Sequence, residues 1–480
     1  MVTLYDRLVE LNNSDMLPLH MPGHKRRDVI PAMSGVYGID ITEIDGFDDL
    51  HEPTGLIAGI EDRASDIYGA EKALISVNGS SAAIEAAIMA VCHAGDTIIL
   101  PRASHKSVYY AVETGQLNPV YIEQDHRPES SVLMPPSVQQ ITEACESHRE
   151  AACVLVTYPT YEGLTADLSK IAETVHSYGM ILIADSAHGA HLGFGYGRSA
   201  LQAGADIAVV SLHKMLPAPT QTALLLTSKA MCGSDAGMRE MITDRINHYM
   251  QVFQSSSPSY VLMAGIEKCL DYMKDRLRDD LARTVELSER FRDDLRTLDH
   301  IDVGSTYDSD PLKVVIRLKS SSFSGRDLYI GLIEDYHIQC EMYGDDYVLA
   351  MFSPVDDESS FDRLKEALTG MDMQIAERLP AGADQTGTRS DGVCKMHIPQ
   401  AAMTAHDAYG HAGTIVNLDE GVIGRVSAAY ICQYPPGVPL IVPGEIIDRE
   451  VYDRIDRGLE TGLHITGLRD GRVAVLEGYE

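Results

Sequence analysis

No stretch of this 480-residue sequence is apolar enough for long enough to span a bilayer, and the opening MVTLYDRLVELNNSDMLPLH carries acids where a secretory leader would carry an apolar run. A cytoplasmic location is the expectation that follows, and no membrane partner is expected. Paired cysteines are also missing. The eight cysteines, at 92, 145, 153, 232, 269, 340, 394 and 432, form no C-x-x-C pair and no zinc-type spacing, which argues against a disulfide framework or structural zinc and suits reduced thiols. The Asn78-Gly79-Ser80 sequon carries no weight without a leader. Positive charge is scarce: 39 Lys and Arg stand against 71 Asp and Glu, a net charge of −32. That balance argues against nucleic acid, because phosphate neutralisation needs clustered cations. Expected partners are neutral or cationic; a field that steers a cation inward and a merely solubilising surface explain the charge equally well. There is no internal repeat and no low-complexity tract.

What is present is an ordinary globular composition, 45% apolar and 23% charged, on a chain long enough for two or three domains. Between about residues 70 and 230, β-rich apolar runs alternate with helical patterns, the signature of a parallel sheet flanked by helices. The strands are expected at Ala73–Val77, Thr97–Leu100, Pro119–Ile122, Ala152–Thr157, Ile181–Ala184 and Ile207–Ser211, with helices at Ser81–Cys92, Lys106–Thr114, Val138–Ser147 and Leu168–Tyr178. Apolar residues three and four apart then predict one long charged helical stretch over Val261–Leu298. An α+β segment follows, with elements at Lys313–Leu318, Gly325–Tyr336 and Tyr347–Phe352. The expected organisation is an N-terminal arm (1–30), an α/β large domain (31–255), a small α+β domain (256–376), a linker (377–394) and a C-terminal α+β domain (395–480).

Three segments carry chemistry. In VVSLHKMLPAPTQTA, Lys214 follows a buried-looking strand and precedes a Pro-rich turn, with Ser211 and His213 beside it. A strand-end lysine is ordinarily a surface residue. Here a hydroxyl and an imidazole accompany it, which suits recognition of a phosphate next to a Schiff base on an amine of lowered pKa. In ILIADSAHGAHLGFG, an apolar strand delivers Asp185 to its C-terminal end, where α/β sheets bind ligands. A carboxylate there can pair with a protonated pyridine nitrogen, or serve simply as a helix cap. His188 and His191 with Asp185 make only a weak zinc signal, and no metal is expected. In SVNGSSAA, a strand ends and a helix opens on Ser80 and Ser81, a phosphate cradle or a plain cap. The lone Gly193-Phe194-Gly195 does not follow the dinucleotide pattern.

Taken together with HMPGHK (20–25), DITEIDGFDDLHEPTG (40–55), PRASHKSV (101–108), TYPTYEG (157–163) and YPPGVPLIVPGE (434–445), these segments resemble the Orn/Lys/Arg decarboxylase family over nearly the whole chain. The lysine segment and the C-terminal string are the most specific matches. The resemblance implies the pyridoxal-5′-phosphate-dependent transferase fold type I, with a mainly parallel sheet in the large domain. It implies Lys214 as the Schiff-base lysine, Asp185 as the pyridine-nitrogen partner, and Ser80, Ser81, Ser211 and His213 as phosphate ligands. It implies His105 as the residue stacked on the cofactor ring and His188 as a further cofactor-side residue. Glu445 and Tyr434 would help bind the distal amino or guanidino group of the substrate, a buried turn motif being the plain alternative. Two departures stand out. The chain starts almost at the MPGHK motif, without the wing domain of larger members, so wing-mediated decamers are not expected; and Pro217 replaces the usual small residue of the lysine signature.

The implied reaction is decarboxylation of a basic amino acid, with arginine preferred over lysine or ornithine, to agmatine or a diamine in polyamine metabolism. The released electrons pass to a pyridinium that Asp185 keeps protonated, and a proton is then delivered to Cα. A homodimer is expected. The rival readings are another fold-type-I enzyme, such as an aminotransferase, and a catalytically silent homologue with a regulatory role.

Overall fold

A computed structural model of the chain describes every residue except 1, 28–29, 34, 129, 305–308, 320–322, 379–394, 435–436 and 480. Most of the expected linker, and Pro435 and Pro436 of the C-terminal string, therefore lie outside the described residues. The chain forms two compact units: residues 1–91, 168–283 and 353–355, and residues 92–167, 284–352 and 356–480.

In the first unit the strands lie in the order Lys72–Ser76, Ala223–Thr227, Ile207–Ser211, Ile181–Asp185. The last two run parallel, with Asp185 opposite Val209, while Ala223–Thr227 runs antiparallel to both of its neighbours. Every residue of Ile181–Asp185, Ile207–Ser211 and Ala223–Thr227 is buried, as continuous apolar runs require when both faces of a sheet are covered. The helix Gly79–Val91 packs on the strands 207–211 and 223–227 and against the helix Ala236–Phe253. Its inward face is built from Ala82, Ala83, Ala86 and Ala87, which let the layers approach closely. The strand Ala223–Thr227 is a correction to the expected pattern: its short apolar run directly follows the Pro-rich turn and reads as part of the lysine segment. The long stretch from Val261 is also two helices, Tyr260–Asp275 and Leu277–Leu295. Arg276 leaves helical geometry between them (φ −135°, ψ −28°), and Asp279 and Asp280 then sit in the first turn of the second helix, where acids favour an N-terminus.

In the second unit, Cys153–Thr157, Thr97–Pro101 and Asn118–Ile122 form a parallel array with Thr97–Pro101 in the middle. An antiparallel sheet follows, with Tyr347–Met351 and Lys313–Leu318 at its centre. The C-terminal region adds a ribbon, Gly413–Asn417 with Arg472–Leu476, and a three-stranded sheet centred on Ile431–Gln433, flanked by Val438–Ile441 and Ile465–Thr466. The architecture is α/β, with mainly parallel strands in the region that carries the sequence motifs.

Candidate active site

Strand register in the first unit assembles the site. Ala223 lies opposite Ser76 on one side and Ser211 on the other, so the ends of Lys72–Ser76 and Ile207–Ser211 are level at one sheet edge. Three residues beyond Ser76 the helix Gly79–Val91 begins; three residues beyond Ser211 comes Lys214, inside the single helical turn Leu212–Met215. Asp185, the last residue of its strand, reaches the same edge through its pairing with Val209. This is the carboxyl end of the parallel strands, where α/β sheets receive ligands.

The Lys214 amine lies 3.1 Å from Nε2 of the buried His188. Asp185 is buried and accepts the Ala187 N–H at 3.2 Å; burial pushes its carboxyl above the usual range, against the pull of the Lys214 charge. His213 places Nδ1 3.1 Å from the Thr222 carbonyl oxygen, and since a carbonyl only accepts, Nδ1 carries the proton. Burial, with the Lys214 charge adding to it, holds that imidazole below its ordinary range. Ser211 has 0% exposure, and its hydroxyl oxygen has no hydrogen-bond partner among the described residues. Ser80 and Ser81 occupy the first turn of the helix Gly79–Val91, half-buried and exposed respectively, where backbone N–H groups have no intrahelical acceptor. Gly79 takes φ +78° at the turn into that helix, a conformation that favours glycine.

These residues fit pyridoxal 5′-phosphate. A buried hydroxyl without a partner and a helix start with two serines offer donors to a phosphate. A buried carboxylate suits a ring nitrogen that must stay protonated, and a lysine beside an imidazole would supply the amine. Among the described residues no cluster of His, Cys, Asp or Glu is arranged to hold a metal ion.

The remaining expected residues lie in the second unit. His105 caps the helix Lys106–Thr114: Nδ1 accepts the Ser107 N–H at 3.2 Å and sits 2.9 Å from the Ser107 hydroxyl, which places the proton of the neutral ring on Nε2. Tyr434 is 45% exposed, with the Lys106 ammonium 5.7 Å from its ring centroid and His464 edge-on at 6.0 Å. Glu445, the other expected substrate contact, is paired within the second unit. It is 1% exposed, with both carboxylate oxygens bound to Arg102 at 2.6 and 2.8 Å. Arg102 is the residue that sequence reasoning missed. Its only signal is an arginine directly after an apolar strand, inside a motif whose histidine draws the attention.

Comparison with known proteins gives the family and the fold. Residues 3–357 match the model of the Orn/Lys/Arg decarboxylase major domain, and residues 390–457 match that of the family's C-terminal domain. The arginine decarboxylase of Bacillus subtilis is 33% identical over 98% of this chain and 96% of its own length. That of Bacillus anthracis is 30% identical over 97% and 95%. In structure, the chain resembles the Francisella novicida lysine decarboxylase LdcF, with a TM-score of 0.81 at 19% identity, covering 99% of this chain and 81% of that one. The fold is that of the fold-type-I pyridoxal-phosphate enzymes, and the chain belongs to the Orn/Lys/Arg decarboxylase family.

Proposed function

We propose that this pyridoxal-phosphate-dependent decarboxylase of basic amino acids takes L-arginine as its preferred substrate and releases agmatine and carbon dioxide. The observation that carries the reading is the near-complete coverage, at 30–33% identity, of relatives named arginine decarboxylase, whereas a relative named lysine decarboxylase stands at 22%.

Bound pyridoxal phosphate supplies a conjugated pyridinium that accepts the electron pair left when carbon dioxide departs. The protein's part is to hold and aim. Lys214 Nζ is the amine that would carry the cofactor, and His188 Nε2, 3.1 Å away, is placed to take or return its proton. Asp185 would hold a proton on the ring nitrogen; its burial keeps water from screening that charge. Ser211, His213, Ser80 and Ser81 would anchor the phosphate. His105 keeps the ring-stacking role that the family resemblance gives it, and Tyr434 offers an exposed aromatic face to a cationic side chain, as it already does to Lys106. The working assembly is proposed to be a homodimer in the cytoplasm, with domains at 31–255, 256–376 and 395–480.

The test is carbon dioxide release from arginine, lysine and ornithine, side by side, with protein reconstituted with pyridoxal phosphate. Arginine is expected to give the highest kcat/KM. A higher value for lysine or ornithine overturns the substrate assignment, and no release from any of the three overturns the assigned activity.

A further inference from the structure

Glu445 ends the segment that starts with the strand Ile431–Gln433 and runs through Tyr434 and the strand Val438–Ile441. Its carboxylate makes a two-pronged contact with the Arg102 guanidinium, Oε1 to Nη1 at 2.6 Å and Oε2 to Nη2 at 2.8 Å, and Oε2 also accepts the Val442 N–H at 2.9 Å. Arg102 is fully buried, with its guanidinium 4.9 Å from the Tyr121 ring centroid and 5.8 Å from that of Tyr109. The Tyr109 hydroxyl donates to the Arg102 carbonyl, and Tyr430, Cys432 and Val442 close the same buried cluster.

The chain leads from this pair to residues the active site needs. Arg102 follows the last residue of the strand Thr97–Pro101 and stands three residues before His105. On the other side, Gly437 comes up to the His105 ring: a Cβ placed on it would lie 3.4 Å from the Tyr434 ring and 3.9 Å from the His105 ring. Two segments far apart in sequence are thus joined by the pair, one leading into His105 and the other running from Tyr434. A bidentate arginine–carboxylate contact fixes rotation as well as distance, which an apolar contact of the same area does not. Its stabilising effect is a separate matter: a buried pair is often no more stable than well-packed apolar residues in its place, although removing one partner is costly.

We propose that Glu445 is a positioning residue for the decarboxylation: through Arg102 it fixes the His105 loop against Tyr434 and Gly437, and it does not bind the distal group of the substrate. The inference rests on the proposed function for the meaning of its kinetics, but not for its structural content.

Glu445→Gln and the double variant Arg102→Met/Glu445→Leu test it, each compared with wild type as reconstituted enzyme. A misplacement on the order of 1 Å behind a reacting group is expected to lower kcat about tenfold to a hundredfold in Glu445→Gln. KM for arginine and the order of preference among arginine, lysine and ornithine are expected to stay as in wild type. The double variant, freed of the unpaired buried charge, is expected to recover the wild-type thermal midpoint without recovering kcat. The imidazole NMR signal of His105, assigned by its loss in His105→Asn, is expected to move in both variants, with and without cofactor. A large rise in KM with kcat preserved, or an altered substrate order, would show Glu445 touching substrate and overturn the proposal. Recovery of kcat together with the thermal midpoint in the double variant reduces the pair to a stabilising contact and overturns it equally, as does an unmoved His105 signal. If wild type releases carbon dioxide from none of the three amino acids, the functional reading fails alone, and the thermal and His105 measurements still decide the positioning claim.

Discussion

The Lys214 amine lies 3.1 Å from Nε2 of His188, at the sheet edge reached by Asp185 and Ser211. An amine that must react as a nucleophile has to shed its proton, and an imidazole at hydrogen-bond distance is placed to receive it. Lys214→Ala is expected to lose activity by on the order of a thousandfold or more, together with the visible absorbance of the bound cofactor. His188→Asn, which keeps a polar group without the ring's basicity, is expected to lower kcat about tenfold to a hundredfold while cofactor is retained. Full activity in Lys214→Ala ends the assignment of the reactive amine.

Asp185 shows how burial is put to use. Its carboxyl is pushed up by burial and drawn back by the Lys214 charge, so it is a costly anion waiting for a cation. A protonated ring nitrogen is such a partner. Asp185→Asn keeps the shape, removes the charge, and is expected to cut kcat by on the order of a hundredfold to a thousandfold. Reconstitution followed by turnover measurement checks it; unchanged kcat would remove Asp185 from the chemistry.

Much of this was legible in the residues, and the parts that were not share a cause. Strands such as Ile207–Ser211 announce themselves as short apolar runs, and the register of Ser76, Ala223 and Ser211 then brings the motif ends together. The strand Ala223–Thr227 was hidden because it runs antiparallel directly after the lysine turn, where a parallel pattern leads one to expect a helix. The break at Arg276 was hidden because apolar spacing continues across it, with Met273, Leu277 and Leu281 all buried. The Arg102–Glu445 pair joins residues 343 positions apart. Local pattern gives no sign that the two are partners; only the folded chain brings the Glu445 carboxylate onto the Arg102 guanidinium.

Asp48 provides a test that involves no chemistry. It adopts φ +72° and its carboxylate accepts N–H groups from Thr54, Gly55, Ile57 and Ala58 at 2.8–3.3 Å, holding the start of the helix Leu56–Tyr68. Burial raises this carboxyl, but the several backbone donors outweigh it and leave the group below its usual value of 3.8. A depressed acid contributes stability that is present above the unfolded pKa and lost as pH falls through the folded one. Asp48→Ala is expected to cost about 1–2 kcal/mol at neutral pH, and the difference from wild type is expected to shrink as pH drops through the folded pKa. Urea titrations of both proteins across the acid range measure it. A gap that stays constant into acid would mean that the charge on Asp48 does not cap the helix.

The opposite sign is expected at His176. Its Nε2 lies 2.8 Å from the buried Asp206 carboxylate, which also accepts the Leu182 N–H at 2.8 Å, so Asp206 is oriented before the histidine reaches it. The hydrogen bond to Asp206 raises the imidazole above its ordinary 6.5, with burial working against it. A histidine raised on folding adds stability that is complete below the unfolded pKa and is lost as pH rises through the folded one. The side chain is 42% exposed, so solvent and salt screen the pair, and its contribution is expected to stay below about 1 kcal/mol. Thermal midpoints of wild type and His176→Gln should therefore differ most below about pH 6 and converge in mildly alkaline buffer. High salt should narrow the acidic gap. If the gap instead widens as the imidazole is deprotonated, the neutral ring is the form that Asp206 holds, and the charge on His176 contributes nothing to this corner of the sheet.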